Sequence, residues 1–79
     1  MTDPQLFDWT LHASVKARRE AWVPSDVEDA ISEGHARRER NPGEADWLLR
    51  LRRLVVAYNW PIDDDPLRAR IVSVWRQRR

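Results

Sequence analysis

Cysteine is absent from this chain of 79 residues, and glycine occurs only at Gly34 and Gly43. Without cysteine, neither disulfide bonds nor thiolate metal ligands can reinforce the fold. A phosphate-binding P-loop and a dinucleotide-binding fingerprint each need several glycines close together, so both are excluded. The stability of the folded chain must therefore come from side-chain packing or from a partner.

Long hydrophobic runs are also missing. The longest unbroken apolar segment, Leu54 to Tyr58, is far shorter than the roughly 20 residues that span a bilayer. The amino-terminal segment carries an acidic residue, Asp3, and lacks the basic region that opens a secretory signal. These features predict a soluble, cytoplasmic protein with no membrane partner.

Tryptophan is frequent for so short a chain. A single domain of this length buries only about 60% of the surface that its unfolded chain exposes, so a deep substrate cavity is not expected. Each indole can bury roughly 200 Å², and packing in the core is the expected role of most of them. Trp60 is the expected exception, since it comes just before Pro61 at a corner of the chain. The five tryptophans are Trp9, Trp22, Trp47, Trp60 and Trp75.

Helical hydrophobic spacing recurs four times, and no segment shows sustained alternation of polar and apolar residues. Start signals precede the first, second and fourth patterns: Asp3 before proline, Ser25 with Glu28 in capping-box spacing, and Asp65 before proline. The sequence therefore predicts an all-α fold, a small single-domain bundle of about four short helices. Two packed helical hairpins are a further option, because both Trp9–Trp22 and Trp47–Trp60 are separated by 13 positions. The predicted helices cover residues 4–21, 26–40, 44–58 and 66–78.

Candidate sites for chemistry are few. The aspartates from Asp63 to Asp65 lack the alternating spacing and central glycine of a calcium loop, and capping of a helix start explains them better. His12 and His35 are far apart and have no cysteine partner, so a zinc site is not indicated. The serines lie in ordinary capping or helix-surface contexts. We therefore expect no catalytic residue, no metal ligand, no cofactor, no small-molecule substrate and no enzymatic activity.

Arginine placement offers the strongest functional indication, because 13 of the 14 basic residues are arginine while the net charge is only +1. If the helices over 44–58 and 66–78 form an antiparallel hairpin, their arginines meet at one end of the bundle. Helix macrodipoles explain arginines at helix carboxyl ends but not those early in the third pattern. The predicted partner-binding residues are Trp60 together with Arg37, Arg38, Arg50, Arg52, Arg53, Arg76, Arg78 and Arg79.

Two functions agree with this pattern. The first is a small non-enzymatic regulatory or adaptor protein that binds another protein, or itself, through the arginine-rich end and nearby aromatic residues. The alternative is a nucleic-acid-binding protein that contacts phosphates through the same arginines. Groove reading by a helix-turn-helix is disfavoured, because the candidate recognition helices open with acidic residues that phosphates would repel.

Overall fold

A computed structural model describes residues 3–77 of the chain. Within these residues, two α-helices and a short 3-10 turn follow the first strand, and four more strands come after them. In chain order the elements are β1 (Leu6–Trp9), α1 (Leu11–Arg19), α2 (Pro24–Gly34), a 3-10 turn (His35–Arg37), β2 (Glu39–Arg40), β3 (Trp47–Leu51), β4 (Leu54–Asn59) and β5 (Arg68–Arg76).

The five strands form one mixed sheet in the order β1-β5-β4-β3-β2. Strand β1 runs parallel to β5, while the other neighbours are antiparallel. The molecule is therefore an α+β fold, and the prediction of an all-α helical bundle is wrong. The option of two equivalent helical hairpins is wrong as well, because Trp9 ends a strand and precedes a helix, whereas Trp47 begins a β-hairpin.

The main core lies between the two helices and one face of the sheet. Ala13 and Ala17 of α1 and Ile31 of α2 pack against Val56 and Tyr58 of the central strand. These five side chains are almost fully buried, with at most 2% of their surface exposed. Burial of apolar surface at roughly 25 cal/mol per Å² is the main source of stability in such a layer.

The opposite face of the sheet carries a second, smaller apolar cluster that contains only strand and loop residues. Leu48, Val55 and Ala57 are buried there together with Ala45, which comes from the loop before β3. The partly exposed indole of Trp75 packs against them. Two partly exposed strand side chains, Val72 and Trp75, and one loop therefore shield this face, whereas the other face has a full layer of helices.

Helix α1 extends β1 along the second half of β5. Thr10 caps the helix by accepting a hydrogen bond from the backbone N–H of Ala13, and its hydroxyl also donates to the carbonyls of Ile71 and Val72. Further along, the His12 ring lies 3.1 Å from the Ser73 hydroxyl. The part of β5 that β1 does not reach is thus lined by a helix.

The first two predicted helices are partly right. Within 4–21, α1 is a helix, but its cap is Thr10 rather than Asp3, and Leu6–Trp9 is a strand. Within 26–40, α2 begins earlier, at Pro24, so that Ser25 lies inside its first turn and does not cap it. The end of the predicted helix is a 3-10 turn followed by β2.

The predicted helix over 44–58 is wrong, because this segment forms the hairpin of β3 and β4. Leu49 and Val56 face the helices, while Leu48 and Val55 face the opposite side. A strand buried on both faces reads as a continuous apolar run, and periodicity cannot separate such a run from a buried helix. The two-residue turn at 52–53 also lacks the Asn-Gly type of signal that marks a tight hairpin.

The predicted helix over 66–78 is wrong too, because residues 68–76 form β5. The pairing shifts between Ala57 and Tyr58, which pair with Ser73 and Ile71 and leave Val72 as an extra residue. This bulge places Ile71 and Val74 on the same face at a spacing of three, which imitates a helix. It also hides the alternation by which the strand would have been identified.

The aspartate triplet forms a tight turn rather than a helix start. Asp63 and Asp64 both adopt positive φ angles, 54° and 61°, a conformation that aspartate tolerates better than most residues. The Asp65 carboxylate accepts a hydrogen bond from the backbone N–H of Leu67. The predicted capping role is wrong, and these residues instead turn the chain from β4 into β5.

The carboxyl end of α1 allows a direct test of backbone strain. Trp22 N–H donates to the carbonyl of Ala17 and Ala21 N–H to that of Arg18, which makes a Schellman turn. Ala21 occupies the position that usually holds glycine and has a φ of 63°. Because glycine adopts this conformation without a steric penalty, Ala21→Gly is expected to raise the free energy of unfolding by about 0.5–1 kcal/mol in urea denaturation.

The neighbouring position provides the control for that measurement. Glu20 has a φ of −89°, so Glu20→Gly gains nothing from glycine and loses entropy on folding. It is expected to destabilise the protein. A lower stability of the Ala21→Gly variant would contradict the assignment of strain to this residue.

Candidate functional site

The turn between β3 and β4 consists of Arg52 and Arg53, both of them exposed. Leu54, the next residue, pairs with Arg76 at the end of β5. The backbone N–H of Gln77 donates to the carbonyl of Arg53 at 2.7 Å. The hairpin therefore brings Arg52 and Arg53 to the same end of the sheet as Arg76.

Trp22 lies at the centre of this end. The guanidinium of Arg76 stacks over its indole, 4.3 Å from the ring centroid, and donates to the carbonyl of Glu20. Arg18 lines a neighbouring groove with Trp22. We call Arg18, Arg52, Arg53 and Arg76 with Trp22 the arginine end.

A groove of about 540 Å³ opens between α2 and the β3–β4 turn. Its apolar lining comes from Trp22, Ala30, Leu51 and Leu54. Arg52 and Arg53 form one wall. The opposite wall is a row of exposed carboxylates on α2, which we call the acidic stripe: Asp26, Asp29 and Glu33.

The two walls are not paired with each other. Within residues 3–77, three ion pairs have a nitrogen–oxygen distance of 4.0 Å or less. Arg50 pairs with Glu39, and Asp8 pairs with both Arg68 and Arg70. None of them involves the arginine end or the acidic stripe. Opposite charges therefore face each other across the groove without contact.

A second groove, of about 570 Å³, lies between α1 and α2. Trp9 and Trp22 both line it, and the indole N–H of Trp9 donates to the Glu28 carboxylate at 2.7 Å. Arg18 is the cation of this groove. Trp22 thus contributes to both grooves of the arginine end.

The other end of the sheet holds a packed aromatic cluster. The Arg38 guanidinium lies 4.2 Å from the Trp47 ring and 4.8 Å from the Trp60 ring, and it donates to the carbonyl of His35. The indole N–H groups of both tryptophans donate to backbone carbonyls. These contacts hold the side chains of Arg38 and Trp60 in the folded structure.

His35 and Tyr58 form the polar centre of that cluster. The His35 ring nitrogen Nδ1 lies 2.8 Å from the Tyr58 hydroxyl, and neither residue is more than 1% exposed. Burial lowers the pKa of His35 below its usual range, and the Arg38 charge lowers it further, while Asp3 opposes both. Burial also raises the pKa of Tyr58. Both side chains are therefore neutral at neutral pH.

The predicted partner-binding residues lie in several places. Arg52, Arg53 and Arg76 come together, whereas Arg50 lies on the face opposite the helices and contacts Glu39. The remaining predicted residues either lie at the other end of the sheet or fall outside the described residues. Arg37, Arg38 and Trp60 belong to the first group, and Arg78 and Arg79 to the second.

Sequence reasoning missed several residues of this site, namely Trp22, Arg18 and the acidic stripe. Asp26 and Asp29 of α2 line the same groove as Arg52. One signal for the stripe was present, because its members follow the i, i+3, i+7 spacing of a single helix face.

Within residues 3–77, no group of three or more histidine, cysteine or carboxylate side chains is arranged to hold a metal ion. Neither described helix has the length and apolar character needed to cross a membrane.

Comparison with protein families, with curated proteins and with solved structures gives no match for this chain.

Proposed function

We propose that this chain is a cytoplasmic, non-enzymatic regulatory or adaptor protein that binds another protein through the arginine end. The expected partner segment places acidic side chains against Arg52 and Arg53 and an apolar side chain against Trp22. Arginine and tryptophan are the residues most enriched among interface hot spots, which supports this role.

The observation that carries the proposal is that four arginines from different parts of the chain lie around the grooves that Trp22 lines: Arg76 stacks on its indole, Arg52 and Arg53 line one groove and Arg18 lines the other. The helix macrodipole explains Arg18, in the last turn of α1. It does not explain Arg52 and Arg53 at a hairpin turn, or Arg76 at a strand end. Exposed like charges repel one another, so their grouping supports binding of a counter-charged partner.

The acidic stripe favours a protein over a nucleic acid as the partner. A nucleic acid strand in the groove would place its phosphates within reach of Arg52 and Arg53 but also next to the three carboxylates of α2. A protein segment carries charges of both signs and can satisfy both walls. Complementary charge across an interface also suppresses wrong partners.

Binding of nucleic acid through phosphates is a second candidate, which one observation favours. Arg50 and Arg70 are exposed on the sheet face that carries Trp75. An open sheet face with arginine and an aromatic residue is a common platform for single-stranded nucleic acids. Asp8 and Glu39, which contact these arginines, weaken this candidate.

The experiment compares two labelled probes by fluorescence anisotropy at low and moderate salt. One is a peptide of alternating glutamate and tyrosine, and the other is a single-stranded oligonucleotide. The peptide is expected to bind, and Arg52→Ala with Arg53→Ala is expected to raise its Kd about tenfold or more, since each 1.4 kcal/mol of lost contact corresponds to a factor of ten.

Arg37→Ala serves as the control, because this arginine is also exposed but lies at the other end of the sheet. It is expected to leave the Kd for the peptide unchanged. Stronger binding of the oligonucleotide, with a steep dependence on salt, would replace the protein partner with a nucleic acid. An equal effect of the control and the double variant would remove the arginine end from the mechanism.

A further inference from the structure

We infer that the partner of the groove beside α2 is a second copy of this chain, which makes the protein a twofold-symmetric dimer. This inference rests on the proposed protein-binding role of the arginine end and names its partner.

Each copy presents three carboxylates on one wall, which lack ion-pair partners among residues 3–77. The stripe extends over about 10 Å of helix axis, at 1.5 Å per residue. Its members repel one another, because like charges at i, i+3 and i, i+4 on a helix are unfavourable. A partner that brings cations to this wall relieves the repulsion.

The opposite wall supplies those cations on the same molecule. Arg52 and Arg53 project from the hairpin turn, and Arg76 is stacked on Trp22 beside them. The same surface therefore contains both halves of a complementary pair, held apart by the groove.

A dimer with twofold symmetry pairs both charged walls of each copy with walls of opposite charge on the other copy. In an isologous interface, residue i of one copy contacts residue j of the other, and j contacts i. A twofold axis through the groove places the arginine turn of each copy against the acidic stripe of the other. The partly exposed Trp22 of each copy then lies near the axis, where a buried indole contributes most.

Charge reversal tests this arrangement by sedimentation equilibrium. The natural chain is expected to dimerise, and more weakly at higher salt. Variant one carries Arg52→Glu and Arg53→Glu, and variant two carries Asp29→Arg and Glu33→Arg. Each variant alone is expected to raise the dimer dissociation constant at least 100-fold, because like charges then face each other in both halves of the interface.

Mixing the two variants is the decisive measurement. In the mixed dimer, the reversed turn of variant one meets the reversed stripe of variant two, and the natural turn meets the natural stripe. Dimerisation is expected to return on mixing. A control with Arg19→Glu and Arg37→Glu has the same charge change as variant one at residues that do not line the groove, and it is expected to dimerise like the natural chain.

A natural chain that stays monomeric up to its solubility limit overturns the inference, as does a mixture of variants that remains monomeric. The glutamate–tyrosine peptide separates this failure from failure of the proposed function. A monomeric chain that binds the peptide through Arg52 and Arg53 keeps its protein-binding role and loses only the second copy as partner. A monomeric chain that binds neither loses both.

Discussion

Replacing Tyr58 with alanine is expected to lower the free energy of unfolding by about 3–5 kcal/mol, the usual cost of removing a large aromatic side chain from a core. Tyr58 has no exposed surface and lies in the central strand β4, where it packs in the main core. Its hydroxyl also forms a hydrogen bond with the His35 ring. Small domains have free energies of unfolding of roughly 5–15 kcal/mol, so this substitution removes a large part of the total stability.

Tyr58→Phe separates the packing of the ring from its hydrogen bond. The phenyl ring keeps nearly all of the apolar contacts, while the buried Nδ1 of His35 loses its partner. A buried polar atom without a partner costs about 1–3 kcal/mol, and this is the expected loss in urea denaturation. The alternative, that the hydrogen bond contributes nothing, predicts equal stabilities of the Tyr58→Phe variant and the natural chain.

Acidification is the second change with a large expected effect, and its origin is His35. The folded state lowers the pKa of His35 below its ordinary value of 6.5 through burial and the Arg38 charge. The unfolded chain therefore takes up a proton at a pH where the folded chain does not. Stability is fully present above about pH 6.5 and falls as the pH is lowered, until the folded pKa is reached.

Urea denaturation over a series of pH values measures this effect, and two variants assign it. Each bound proton changes the free energy of unfolding by up to about 1.4 kcal/mol per pH unit. His35→Gln is expected to flatten the dependence below pH 6.5. His12→Gln, at an exposed histidine, is expected to leave it in place. Persistence of the full acid effect in the His35→Gln variant would contradict this assignment.

The helices were the part of the fold that the sequence predicted best, because their signals are local. Helix α1 and most of α2 lie within the predicted ranges 4–21 and 26–40, because the spacing of their apolar residues depends on a few neighbouring positions. The strands were missed because the spacing of their buried residues depends on how each strand pairs with its neighbours in the sheet. Nothing near Val72 indicates a bulge, since the bulge exists only in the register against Ala57 and Tyr58.

One sequence signal would have corrected the fold class. Val55, Val56 and Tyr58 lie in one apolar run, and Ile71, Val72 and Val74 in another. β-branched and aromatic residues favour strands, whereas a helix of this apolar character would contain more leucine and alanine. Composition should have outweighed periodicity over residues 68–76, whereas the four leucines at 48, 49, 51 and 54 fit a helix as well as a strand.

The expected grouping of Arg52 and Arg53 with Arg76 depended on antiparallel neighbours joined by a short connection. A short connection favours an antiparallel arrangement for two strands as well as for two helices. The three arginines are therefore close together in the α+β fold too. Arg37 and Arg38 lie elsewhere because α2 runs back along the sheet and ends beside Trp47 and Tyr58. The position of these two arginines depends on the direction in which α2 runs along the sheet. The predicted helical bundle contains no sheet, so it could not indicate this position.

The position of β5 has a consequence for the order of events during folding. This strand comes last along the chain, yet it lies between β1 and β4, and Leu6 pairs with Arg68 across most of the sequence. Contacts between such distant residues form late, because a long loop must close first. During synthesis, α1 can form early. The strand that it packs along, β5, is synthesised only after all the other elements. A ribosome-bound chain that lacks β5 therefore exposes the apolar faces of β4 and both helices, and we expect this intermediate to be the form most prone to aggregate or to engage chaperones.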